Sequence, residues 1–84
     1  MDPIVSLQGR TIVVTGAGQG IGRGIAETAA ALGANVVAVD LNGETLAATL
    51  EALPSDRAMG VQGSVADPAV ADRAVADAVA RFGA

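Results

Sequence analysis

Thr15-Gly16-Ala17-Gly18-Gln19-Gly20-Ile21-Gly22 is the stretch on which the reading of this chain turns. It follows an unbroken β-branched run, Thr11 to Val14, of the kind expected in a strand buried on both faces. Beyond Gly20 the apolar residues Ile21, Ile25, Ala26, Ala29 and Leu32 recur at helical spacing until Gly33 supplies a stop. The order is strand, glycine turn, helix. Glycine is needed where a side chain would strain a tight turn, and where an anion must come close to the main chain. Gly16 suits the turn, Gly18 and Gly20 close approach, and Gly22 the packing of helix against sheet. The N–H groups at the helix start, Gly20 to Gly22, would then face a phosphate with the helix dipole behind them.

Two further strand–helix alternations follow. Asn35 to Val39 is a second β-rich run closed by Asp40, and Gly43 to Leu53 carries Leu46, Leu50 and Leu53 on one helical stripe before Pro54 and Ser55 break it. A weaker strand, Ala58 to Val61, precedes a third helix in which Asp67 can cap and Pro68 occupies the first turn. Its expected buried stripe is Val70, Ala74, Val75, Val79 and Phe82. Three strands alternating with three helices predict an α/β fold with right-handed crossovers and a parallel sheet of order 3-2-1. That is the amino-terminal half of a doubly wound, Rossmann-type fold, and residues 1–84 form one dinucleotide-binding half-domain without linker or repeat.

Asp40 stands about twenty residues beyond the loop at the end of the second strand, the spacing of the acid that holds a ribose in dinucleotide sites. A helix cap or a solvated strand-end charge is the competing reading of that residue. A nucleoside-triphosphatase loop is excluded, because no Lys-Ser or Lys-Thr follows the glycines.

Composition narrows the chemistry further. A net charge of −4 with five scattered arginines as the whole basic complement argues against nucleic acid, which needs clustered positive charge. The 84 residues contain no His, Cys, Tyr or Lys, so most acid/base and nucleophilic mechanisms are closed, no catalytic residue is assigned, and no metal site is expected. No apolar run reaches membrane-spanning length and Met1 to Arg10 lacks a leader pattern, so the expected setting is cytoplasmic, without membrane contact. Arg23, one residue past the loop, reads as an exposed helical side chain. Asp67, Asp72, Arg73, Asp77 and Arg81 read as a solvated helix face with weak ion pairs.

The loop resembles the Thr-Gly-x-x-x-Gly-x-Gly cofactor signature of the short-chain dehydrogenase/reductases, and Leu7-Gln8-Gly9-Arg10 and Arg81-Phe82-Gly83 are also similar to sequences of that family. The resemblance implies NAD as cofactor. Gly16, Gly18, Gln19, Gly20, Ile21 and Gly22 would line its pyrophosphate, Asp40 with Leu41 would meet the adenosine ribose, and Ser64 with Val65 would sit beside the adenine. Family members usually carry Asp where Ser64 stands, which points to a weaker or water-mediated adenine contact. NAD is expected over NADP, since Asp40 would repel a 2′-phosphate and neither Gln19 nor Leu41 offers it a positive charge.

The family further implies an oxidoreductase that moves hydride between nicotinamide and an alcohol or carbonyl substrate. Its Asn-Asn-Ala-Gly segment, catalytic Ser and Tyr-x-x-x-Lys pair have no counterpart here, so this polypeptide is expected to be inactive alone. A non-catalytic adenine-nucleotide-binding module and a purely structural fragment are the other readings. The expected partners are the dinucleotide and either a carboxy-terminal portion or a second copy covering the free edge of the first strand.

Overall fold

In the computed structural model, which describes residues 7–18, 20–64 and 66–83, six elements alternate as the apolar periodicities require. They are β1 Thr11–Thr15, α1 Gly20–Ala31, β2 Asn35–Asp40, α2 Gly43–Glu51, β3 Ala58–Gln62 and α3 Pro68–Phe82. The strands are parallel in the order β1-β2-β3, the expected 3-2-1 sheet. Each runs one residue beyond its apolar stretch, because the ladder continues through Thr15 opposite Val39 and Asp40 opposite Gln62. Backbone pairing rather than hydrophobicity thus fixes where Asp40 stands.

The pleat sends alternate residues to opposite faces. On one face Val14, Val36, Ala38 and Ala58 pack with Ala26 and Ala30 of α1 and Leu46 of α2. On the other Val37, Val39 and Val61 meet Ala74 and Ala78 of α3. Val36, Val37, Val39 and Val61 are sealed from solvent, and burying each such side chain contributes about 1.5–3 kcal/mol. Gly60 explains why β3 reads weakly as a strand. A Cβ there would lie 2.7 Å from Leu50 Cδ1, so the missing side chain lets α2 settle onto the sheet.

Burial departs from expectation on the flank of β1. The two faces of that strand are unequally covered: Val14 is buried, whereas Val13, on the side of α3, is 42% exposed. The helix stripes shift likewise. In α1 the buried residues are Ala26, Ala29 and Ala30, while Ile21 and Ile25 are exposed. In α3 Ala74 and Ala78 carry the contact, Val75 and Val79 are exposed, and Val70 and Phe82 are partly buried. The small residues allow close approach to the sheet. Of the larger ones, Ile21 and Ile25 line a groove with Ile12 of β1, and Val75 lines another with Val13.

Helix ends follow their sequence signals. Asn42 Oδ1 accepts from the N–H groups of Glu44 and Thr45 at the start of α2, and Asp67 Oδ1 accepts from Ala69 ahead of Pro68. Of the charged α3 face, Arg73 and Asp77 form a long ion pair at 3.6 Å. Arg81 is not merely solvated. It donates to the carbonyls of Ala58 and Ser55 at 3.0 and 2.7 Å, with its guanidinium 5.3 Å from the Phe82 ring centre. Among the described residues, no helix is long and apolar enough to cross a membrane.

The tightest backbone approach joins β1 to α1. A Cβ on Gly22 would collide with the carbonyl oxygen of Gly16, whereas one on Gly24, a turn-half further along α1, would meet nothing within 4 Å. Gly22→Ala should destabilise the fold by about 1–3 kcal/mol through overpacking. Gly24→Ala should stabilise it by about 0.5–1 kcal/mol through helix propensity. Urea unfolding of the two variants checks this, and equal effects would contradict the packing described.

Candidate functional site

The glycine loop lies at the carboxyl ends of the strands, where open α/β sheets bind ligands. After β1 the chain turns at Gly16, whose φ of 66° is a left-handed conformation that a side chain would strain. Ala17 is fully buried, and its N–H bonds to the Val39 carbonyl at 3.1 Å. The Gly18 N–H donates to Asp40 Oδ2 at 2.8 Å, and the Asn42 N–H donates to Asp40 Oδ1 at 2.9 Å. Each carboxylate oxygen thereby holds one backbone donor and keeps a lone pair for another. The Gly63 N–H bonds to the Asp40 carbonyl at 3.0 Å, which brings the segment before Ser64 to the same rim.

Asp40 is therefore neither a helix cap, a task Asn42 performs, nor a freely solvated charge. The N–H groups of Asn42 and then Gly18 hold its carboxyl below the ordinary aspartate range, against an opposing push from burial, with Leu41 adding to the lowering.

The glycines divide their tasks. A Cβ on Gly18 would stand 2.5 Å from Thr45 Oγ1 and 2.9 Å from Asp40 Oδ2, so this glycine makes room for β2 and α2. At Gly16 and at Gly20, which has φ 53°, a Cβ would meet nothing within 4 Å, leaving the backbone accessible from the open side. The first-turn N–H groups of a helix have no intrahelical acceptor, and at α1 these belong to Gly20, Ile21 and Gly22. The first turn of α1 contains no acidic residue, while α2 begins with the Asn42 cap and Glu44 and α3 with the Asp67 cap. An anion therefore fits α1 electrostatically better than the other two helices.

Of the remaining predicted positions, Ile21, Leu41 and Ser64 are described. Ile21 and Leu41 are 84% and 70% exposed. Ser64 is exposed and its Oγ accepts from the Ala66 N–H at 3.2 Å. Gln19 and Val65 lie outside the described residues. Arg23 pairs with Glu27 at 2.8 Å, the exposed helical role expected of it. Among the described residues no cluster of acids could hold a metal ion. An apolar groove of about 470 Å³ bounded by Leu7, Ile12, Ile21, Ile25 and Leu32 runs along the flank of α1.

Sequence reasoning passed over Thr49. It is fully buried, and its hydroxyl donates to the Ala17 carbonyl at 3.0 Å. The available signal was a polar residue three positions after Leu46 and four before Leu53, on the apolar stripe of α2.

Comparison with known proteins identifies the family. The profile of the family described as short chain dehydrogenase matches residues 10–84. The chain belongs to that family, and it covers the amino-terminal portion of its members. It is 46% identical over 81 residues to the L-rhamnose 1-dehydrogenase (NAD(P)(+)) of Sphingomonas sp. (strain SKA58), spanning 92% of this chain and 32% of that protein. Among solved structures it matches a short-chain dehydrogenase/reductase, glucose/ribitol dehydrogenase, from Brucella melitensis. That match has a TM-score of 0.88 and 39% identity, covering 94% of this chain and 34% of the other. A second match, from Burkholderia phymatum, was crystallised in complex with NAD; the TM-score is 0.86 with 33% identity over 95% of this chain and 29% of that one. The chain thus spans about a third of the length of these relatives.

The Asp40 geometry has a pH consequence. A carboxyl whose folded-state pKa is lowered contributes stability that is present above the ordinary aspartate pKa and is lost as pH falls through the folded value. Asp40→Asn should accordingly lower the neutral plateau of the stability profile and flatten part of its acid limb. Denaturant titrations from pH 7 to pH 2 measure it, and an unchanged acid limb in the variant would refute the assignment.

Proposed function

We propose that this chain binds NAD as the cofactor-holding part of an oxidoreductase that transfers hydride between nicotinamide and an alcohol or carbonyl substrate. The observation that carries the reading is the Asp40 carboxylate, anchored by the Gly18 and Asn42 N–H groups beside an open glycine backbone. The pyrophosphate lies against Gly16, Gly18, Gln19, Gly20, Ile21 and Gly22 and meets the positive end of α1. Asp40 accepts from the adenosine ribose hydroxyls beside Leu41, and Ser64 with Val65 borders the adenine. The nicotinamide supplies the hydride chemistry when bound. The residues here bind and orient, and proton transfer falls to groups elsewhere, since the 84 residues contain neither Tyr nor Lys.

Asp40 also sets the cofactor preference. A 2′-phosphate would be placed against an anchored negative charge, so NAD should bind about tenfold or more tightly than NADP, and Asp40→Ala should narrow that gap. Calorimetry on the whole gene product tests this. Tighter NADP binding, or an unchanged preference in the variant, would sink the reading. Turnover of an alcohol by the 84-residue polypeptide alone would contradict the division of labour.

The flank of β1 is where the rest of such an enzyme fits. Among the described strands β1 pairs only with β2, and exposed apolar surface flanks it, Ile21 and Ile25 beside Ile12 and Val75 beside Val13. We infer that further chain, or a second copy of this one, covers that edge. Sedimentation of the 84-residue polypeptide should therefore show concentration-dependent association. A well-dispersed monomer with exchange-protected amides along both edges of β1 would be the contrary result.

A further inference from the structure

The buried hydroxyl of Thr49 has a precise partner in the loop. It donates to the Ala17 carbonyl, and the very next N–H, that of Gly18, donates to Asp40 Oδ2. The C=O of Ala17 and the N–H of Gly18 belong to one peptide unit, which is planar and turns as a rigid body. One plane is thus held at its oxygen by α2 and presents its hydrogen to the carboxylate at the end of β2. We propose that Thr49 is a positioning residue for cofactor selection: by fixing the Ala17–Gly18 peptide plane, it fixes the Asp40 carboxylate that receives the ribose. The inference rests on the dinucleotide reading above.

Steric and energetic observations support the linkage. Thr49 is the one polar residue in the sealed interior of the described chain, and no solvent reaches it to take over its bond. Removing the hydroxyl leaves the carbonyl of Ala17, itself fully buried, without a donor. The plane can then relieve that loss only by turning, which swings the Gly18 N–H away from Asp40. Gly18 is the residue most able to permit the turn, and Thr45 Oγ1 packs against the side from which a side chain would have blocked it. The carboxylate keeps its Asn42 donor but loses one of its two anchors, so it holds a ribose less well and resists a 2′-phosphate less firmly.

The test compares Thr49→Val, which keeps the shape and removes the hydroxyl, with Thr49→Ser, which keeps the hydroxyl, and with Asp40→Ala. NMR titration of the Asp40 side-chain carboxyl in the whole gene product without cofactor should show its midpoint moved upward in Thr49→Val and restored in Thr49→Ser. Calorimetry should show the ratio of NAD to NADP affinity falling about fivefold in Thr49→Val and recovering in Thr49→Ser. General destabilisation would weaken both cofactors alike and leave the ratio intact. A folded Thr49→Val with an unmoved Asp40 midpoint and an unchanged ratio overturns the inference, as does a Thr49→Ser that loses preference. If Asp40→Ala shifts the ratio while Thr49→Val does not, the positioning role alone fails. If neither Asp40→Ala nor Thr49→Val shifts it, the ribose reading of Asp40 fails and the inference goes with it.

Discussion

Everything at the rim of this sheet hangs on two backbone donors shared by one carboxylate. Asp40 ends β2, the strand with neighbours on both sides, so its position is set by hydrogen-bonded ladders in two directions. From there its two oxygens reach the glycine loop through Gly18 and the start of α2 through Asn42. The loop, the central strand and the second helix are consequently one rigid corner. A charged acceptor is well suited to this, because hydrogen bonds to an ionised group are shorter and stronger than neutral ones. A neutral side chain of equal size would connect the same elements with less force.

Glycine makes the corner possible in two physically different ways. At Gly16 and Gly20 the requirement is conformational, since both have positive φ and open space around the missing Cβ. At Gly18 and Gly22 it is steric, since a side chain would run into Thr45 and Asp40 in one case and into the Gly16 carbonyl in the other. The first kind leaves main chain exposed to a ligand, and the second packs the protein against itself. A loop of this composition is therefore held from behind while its front is bare, the condition for binding an anion without first ordering the loop.

Most of the architecture was legible because the periodicities are clean. Thr11 to Val14, Asn35 to Val39 and Ala58 to Val61 were readable as strands from their apolar runs, and Asp67 with Pro68 marked a helix start that the structure contains. What the pattern could not reveal was which apolar side chains find a partner. Ile21 and Val75 share helical spacing with buried neighbours yet stand in the open, because periodicity reports the composition of a face and not what lies opposite it. At the site, the loop and Asp40 were found from spacing. Thr49 was not, because a hydroxyl on an apolar stripe declares itself only when the carbonyl it meets, 32 residues away, is placed.

Arg81 makes the two borders of the sheet unequal. The Val36 N–H bonds to the Arg57 carbonyl while Val36 stands opposite Ala58 in register, so in a parallel ladder the Ala58 carbonyl itself faces outward. Arg81 occupies that carbonyl. A strand arriving beside β3 would meet a guanidinium where it needed an acceptor, whereas β1 pairs, among the described strands, only with β2. Lateral growth of the sheet is thereby blunted at the third strand.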